Sequence, residues 1–146
     1  MTLLNREVNS YRSKPVPLSK FDVFTEAELD RLAAAGIRST KHLYERAATR
    51  SQRAELLGRL DLADDRLLAA LELTNLVRIN GVGPAFAHFL RGLGVRGPED
   101  VLRTDTADIL RRYATSVAGE PSRPKLRVED VEYCKRFSIG LSSDIE

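Results

Sequence analysis

The chain has 146 residues, 42% of them hydrophobic and 30% charged, which is typical of one globular domain. One cysteine, Cys134, excludes an internal disulfide, and with two histidines it cannot supply a typical four-ligand structural zinc site. The net charge of +2 is lower than that of a dedicated nucleic-acid coat protein. Leu, Ala, Arg and acidic residues recur at spacings of three and four, which predicts an all-α fold.

The chain also lacks the sequence signals of a membrane or secreted protein. No apolar run reaches the roughly 18–20 residues of a membrane span. Met1–Ser10 has no apolar core of the kind found in signal peptides, and a single cysteine is typical of a reducing compartment. These features predict a cytoplasmic protein with no membrane partner.

The first predicted region is a basic, extended arm over residues 1–20. Prolines at positions 15 and 17 disfavour helix in the residues before them. The arm either lies on the domain as an ordinary terminal segment or touches nucleic acid, and the sequence leaves both alternatives open. Its charges are Arg6, Arg12, Lys14 and Lys20 against the single acid Glu7.

Capping signals then predict a first helical unit over residues 21–73. Thr25 and Glu28 form a capping box, and Gly36 stands at a typical C-terminal cap position. The helix predicted to begin at Asp64-Asp65, which is the last of this unit, is expected to be interrupted near Thr74-Asn75. Further helices are predicted after Ser39 or Thr40, over about 51–60, and from Asp64-Asp65, the last of these burying Leu67, Leu68 and Leu71.

A second unit is predicted over residues 74–114, and it opens with the segment Ile79-Asn80-Gly81-Val82-Gly83-Pro84. Proline suits the first position of a helix, where its missing amide costs nothing. Ala87 and Leu90 have the spacing of an inward face. Residues 115–146 are predicted to form a loop, a helix and a tail. Gly94 is predicted to end the helix that begins at Pro84, Pro98 to begin the next, and Asp105 or Thr106 to cap a further one. The last helix, Val128–Phe137, is expected to bury Val128, Val131 and Cys134.

The two units are similar in sequence. A shift of 58 residues places Thr25–Leu43 over Gly83–Val101, with Gly36 on Gly94. This match predicts two copies of one helical unit, of which only the second keeps the Gly-Val-Gly turn.

The segment from Ile79 to Val95 resembles the helix-hairpin-helix motif. Glycines permit close backbone approach, and the amides of a following helix suit a phosphate. The resemblance implies a DNA-backbone site, and the alternative is a plain turn between packed helices. DNA-binding versions often carry Lys or Arg after the second glycine, where this chain has Pro84 and Ala85. The predicted site residues are Arg78, Asn80, Gly81, Val82, Gly83 and Arg91.

A longer stretch, about Phe24 to Phe137, resembles the bacterial family called domain of unknown function 4332. Three segments carry the resemblance: Ala48–Leu56, Leu76–Pro84, and Gly94-Val95 with Glu99–Leu102. The resemblance implies two tandem helix-hairpin-helix-like units in a SAM-like bundle, followed by a C-terminal helix.

The remaining side chains fit structural roles. His88 is expected at the surface, Phe86 and Phe89 in packing, and Cys134 as a buried thiol. The sequence holds no catalytic constellation, nucleotide-binding loop, metal site or cofactor site, so no enzyme is expected. The predicted function is non-enzymatic, sequence-independent DNA binding, and the alternative is a protein–protein adaptor.

Overall fold

Helix boundaries follow local capping signals in the computed structural model, which describes residues 13–120, 125–141 and 145. Within these residues the fold is helical without a β-strand, so the all-α prediction is confirmed. None of the described helices is long and apolar enough to cross a membrane. A 3-10 helix (Leu18–Phe21) precedes α1 (Glu26–Ala34), α2 (Thr40–Arg46), α3 (Arg50–Leu60), α4 (Asp64–Val77), α5 (Pro84–Gly92), α6 (Pro98–Arg103), α7 (Thr106–Ser116) and α8 (Val128–Ile139).

Side chains cap several of these helices. Thr25 forms the predicted capping box of α1 with the glutamate three residues later. Thr49 forms a second capping box at α3 with Gln52, and this box was not among the predicted caps. Ser39 caps α2 and Asp105 caps α7, and each is one of the two residues predicted for its cap. Each of these side chains satisfies an amide that has no acceptor within its own helix, and this fixes where the helix begins.

The helices α1 and α5 have the same length and lie 58 residues apart in the chain. Gly36 and Gly94 follow them with φ angles of 83° and 87°. The amides of Ile37 and Val95 then bond back to the last turn of each helix, at 2.9 and 3.0 Å. Both helices therefore end in the same left-handed cap, which glycine adopts without a steric penalty.

The helix α4 lies at the centre of the core and packs against α2, α5 and the 3-10 helix. Leu67 and Thr74 are both 0% exposed, and the helix continues to Val77. The predicted interruption at Thr74-Asn75 is therefore wrong. Leu68 was expected in the core, but it is 51% exposed because it lies about 100° around the helix from Leu67.

The C-terminal helix α8 packs against α6 and α7. Val131 and Cys134 are buried, as predicted. Val128 was also expected to be buried, but it is 52% exposed at the first position of the helix. The packing brings the middle of α8 to the turn between α4 and α5.

The N-terminal segment is held against the start of α2. The Val16 amide donates to Thr40 Oγ1 at 3.0 Å, and the Leu18 amide donates to the Arg38 carbonyl at 3.1 Å. Leu18 and Phe21 are buried in the core. The described end of the predicted arm is therefore packed on the domain, and its first twelve residues lie outside the described range.

Candidate nucleic-acid interface

The turn between α4 and α5 is anchored by two buried side chains. Ile79 and Val82 are 0% and 6% exposed, and the Val82 amide donates to the Ile79 carbonyl at 3.0 Å. Val82 was predicted to contact nucleic acid, but its side chain lies in the core and its amide is already bonded, so this prediction is wrong. Gly81 has a φ of 98°, which L-residues rarely adopt. Gly83 is the N-cap of α5 and has an ordinary φ of −87°. Of these two glycines, only Gly81 is required by its backbone conformation.

The N-terminus of α5 is open to solvent. The first amides of a helix have no acceptor within it, and no side chain in the described part of the chain supplies one here. Pro84, at the first helical position, has no amide to satisfy. Gly83 and Ala85 are exposed and small, so the amides of Ala85 and Phe86 can be approached by an anion.

The N-terminus of α1, 58 residues earlier in the chain, is closed by side chains. Thr25 Oγ1 accepts from the Glu28 amide at 3.1 Å, and the Glu28 carboxylate accepts from the Thr25 amide at 3.0 Å. The same carboxylate accepts from the Ala63 amide at 3.1 Å and from Arg66 Nε at 2.7 Å. Since a buried carboxylate already occupies this end, α1 has no place for a phosphate.

The outer side of the turn is shared with α8. Asn80 is exposed, and its Nδ2 donates to the Tyr133 hydroxyl at 2.5 Å. A Cβ atom added at Gly81 would lie 3.3 Å from Tyr133 Cδ1 and 3.2 Å from Cys134 Sγ. Burial raises the pKa of the Cys134 thiol, which is consistent with the predicted structural role. Asn80 and Gly81 thus lie at the surface, with Tyr133 as an immediate neighbour.

Arg78 was predicted to contact nucleic acid, but it is 0% exposed and the prediction is wrong. Its Nε donates to Asn75 Oδ1 at 2.7 Å, and its guanidinium carbon lies 5.0 Å from the centre of the Tyr44 ring. Asn75 in turn donates to the Arg96 carbonyl at 3.1 Å. Arg78 therefore stabilises the end of α4 beneath the turn.

Arg91 lies in the last turn of α5, about 10 Å along the helix from its N-terminus. Its guanidinium is 3.8 Å from the Glu72 carboxylate, which also pairs with Arg96 at 3.2 Å. Glu72 compensates the charge of Arg91 and holds it against α4. The structure therefore does not place Arg91 beside the turn.

Two lysines that were not among the predicted site residues lie near the turn. Ser13 Oγ donates to the Arg78 carbonyl at 2.5 Å, and this bond places the exposed Lys14 at the end of α4. Lys125 is exposed and lines a cleft that Gly81 also lines. Neither lysine forms an ion pair with another described residue. The charge of the N-terminal segment was evident in the sequence, but its position was not.

The aromatic side chains of α5 have packing roles. Phe86 and Phe89 stack with ring centres 5.8 Å apart, and Tyr113 meets both rings edge-on, which confirms the packing prediction. His88 is exposed, as expected, and its Nε2 lies 2.7 Å from the Phe21 carbonyl oxygen. No group of three His, Cys, Asp or Glu side chains that could hold a metal occurs among the described residues.

Replacing Gly81 with Ala is expected to lower the free energy of unfolding by about 1–2 kcal/mol, because alanine is strained at a positive φ. Contacts with Tyr133 and Cys134 add to this cost. Gly58→Ala is the control, since Gly58 lies within α3 with helical geometry and a Cβ there meets nothing within 4 Å. Urea denaturation of both variants measures the difference, and equal stabilities would contradict the assigned geometry.

The fold and the turn together define an all-α domain that presents an open helix N-terminus between two packed helices. The chain belongs to the family described as Domain of unknown function (DUF4332), whose model matches residues 23–126. The matched range contains α1 to α7 and the turn, and the match confirms the family resemblance noted in the sequence. No curated protein and no solved structure matches this chain.

Proposed function

We propose that this domain is a non-enzymatic, cytoplasmic module that binds the DNA backbone without reading its sequence. The open N-terminus of α5 carries the proposal. Backbone amides at a helix N-terminus donate to phosphate oxygens, and the helix dipole favours negative charge there. The positive φ of Gly81 turns the chain sharply, and the exposed Gly83 adds no side chain that would compete for these amides. Contacts of this kind position a protein on DNA and carry no sequence information.

The charge around the turn sets the expected strength of binding. Lys14 and Lys125 supply positive charge, whereas the burial of Arg78 and the pairing of Arg91 with Glu72 remove the two predicted charged contacts. With two or three phosphates neutralised, log affinity should fall against log salt with a slope of about −2 to −3. Non-specific binding of this type has a dissociation constant of about 10⁻⁴ M at physiological salt.

Gly83→Asp is expected to abolish DNA binding, because its carboxylate would accept from the α5 amides and repel a phosphate. The fold should be retained, since aspartate is a favoured N-cap residue and a Cβ at this position has open space. Fluorescence anisotropy of a labelled duplex at low and moderate salt measures the effect.

Gly83→Ala is the matched control for this experiment. It adds a Cβ but neither a charge nor a competing acceptor, so its affinity should remain within about twofold of the parent value. Equal binding by the Asp and Ala variants would contradict a phosphate site at α5. Absence of binding by the parent protein at low salt would contradict the function itself.

Exposed apolar side chains on α8 favour the second candidate, a protein–protein adaptor. Val128 and Ile139 are 52% and 72% exposed, and their spacing of about three turns places them on one side of the helix. A parent protein that does not bind DNA at low salt would make this side of α8 the leading candidate surface.

A further inference from the structure

A cleft opens directly beside the turn, between α5, α7 and α8. Its volume is about 330 Å³, near the lower end of the range for small-ligand pockets, which is roughly 300–1,000 Å³. Gly81 of the turn and Phe86 of α5 line it, so the cleft adjoins the α5 amides. A molecule held by those amides could therefore extend one adjacent group into the cleft.

Aromatic rings form much of the cleft wall. Phe86 and Tyr113 meet edge-on with centres 6.0 Å apart, and each also packs on Phe89, so both rings are held in place. Tyr133 lies on the α8 side of the cleft and is 44% exposed. Its hydroxyl accepts from Asn80 Nδ2 at 2.5 Å, which fixes an exposed ring in one orientation. Rings of this kind offer a stacking surface to any planar heterocycle.

Two charged groups complete the lining. Asp130 is half-buried, and its Oδ2 accepts from the Arg127 amide at 2.9 Å and lies 3.7 Å from Arg127 Nε. Its Oδ1 forms no hydrogen bond with a described residue. This oxygen can accept from the N–H groups on the edge of a nucleobase. Lys125 is exposed and supplies a positive charge for a phosphate. The lining thus combines a stacking surface, a hydrogen-bond acceptor and a cation.

We propose that this cleft holds an unpaired nucleobase of a DNA strand whose adjacent phosphate lies at the N-terminus of α5. The inference rests on the proposed backbone-binding function and adds a substrate class to it. A base within a duplex is stacked between its neighbours and paired with the opposite strand, so it cannot enter the cleft. The domain should therefore prefer DNA with a single-stranded end to blunt duplex DNA.

The test compares three labelled probes at low salt by fluorescence anisotropy: a blunt duplex, the same duplex with a short single-stranded overhang, and that overhang without its bases. Base–aromatic stacking should make the overhang probe bind about tenfold more tightly than the blunt duplex. The abasic probe has the same phosphates, so it should lose this gain.

Two pairs of variants separate the cleft from the turn. Tyr133→Leu should lower the affinity for the overhang probe much more than the affinity for the blunt duplex. Tyr133→Phe keeps the ring and loses only the hydrogen bond from Asn80, so it should keep most of the preference. Asp130→Asn retains an acceptor oxygen for the Arg127 amide but can present an amide donor to the base, and it should reduce the preference severalfold. Glu129→Gln is its control, since the neighbouring Glu129 is exposed and does not line the cleft.

The outcomes distinguish this inference from the proposed function. Equal affinity of the parent protein for blunt and overhang probes would overturn the base-binding cleft and leave backbone binding intact. An equal loss for all three probes in Tyr133→Leu would also overturn it, because that result indicates a structural role for the ring. A parent protein that binds none of the probes would overturn both proposals.

Discussion

Replacing Ala87 with Glu is expected to lower the melting temperature by about 10 °C or more. Ala87 is 0% exposed on the side of α5 that packs against α4 and the 3-10 helix. A glutamate there overfills a close-packed contact and buries a carboxyl group without a partner, which costs several kcal/mol. Domains of this size are stable by only about 5–15 kcal/mol, so much of the stability would be lost.

Ala85→Glu is the control for this experiment. Ala85 lies two positions earlier on the same helix and is exposed, and a carboxylate in the first turn interacts favourably with the helix dipole. Its melting temperature should remain within about 2 °C of the parent value. Thermal unfolding followed by circular dichroism measures both variants, and a common melting temperature would contradict the inward orientation of Ala87.

The helix boundaries were predictable because their causes are local. Thr25 caps α1 through a contact three residues away, Pro84 begins α5, and Gly94 ends it with a positive φ. The capping box of Thr49 and Gln52 was equally readable from its spacing. Such signals depend on a few neighbouring residues, so one sequence is sufficient to place them.

The errors in the predicted site have long-range causes. Arg78 follows α4 in a position that sequence alone would expose, but Tyr44 of α2 and Asn75 enclose its guanidinium. Arg91 faces Glu72 because α5 packs along α4, and no short-range pattern indicates that pairing. The environment of an arginine depends on packing between helices, whereas its charge is evident from the sequence.

The cleft beside the turn could not be predicted for the same reason. Tyr133 lies on Gly81 although about fifty positions separate them in the chain, and Tyr113 reaches Phe86 from a third helix. The sequence indicated the glycine turn, and the structure added the α8 side of the site. The N-terminus of α5 is open, whereas the N-terminus of α1 is closed by the carboxylate of Glu28.

Replacing Glu28 with Gln is expected to reduce stability at neutral pH by about 2 kcal/mol. The hydrogen bond from Arg66, with help from the Thr25 and Ala63 amides, lowers the pKa of Glu28 from its usual 4.5 to about 2, even though burial opposes the shift. A depressed carboxyl pKa contributes stability above the unfolded value near 4.5. The contribution is below the full value of such a shift because the Arg66 side chain is 40% exposed.

The stability difference between parent and Glu28→Gln should therefore shrink as the pH falls from about 5 to about 2, because Glu28 becomes protonated in the folded parent. Urea denaturation at several pH values in this range follows the difference. Glu26→Gln is the control, since Glu26 is exposed in the same helical turn and accepts no described hydrogen bond. A difference that stays constant with pH would show that Glu28 acts through its shape and hydrogen bonds alone. If the stability difference disappears at low pH, the negative charge of the buried Glu28 carboxylate stabilises the N-terminus of α1.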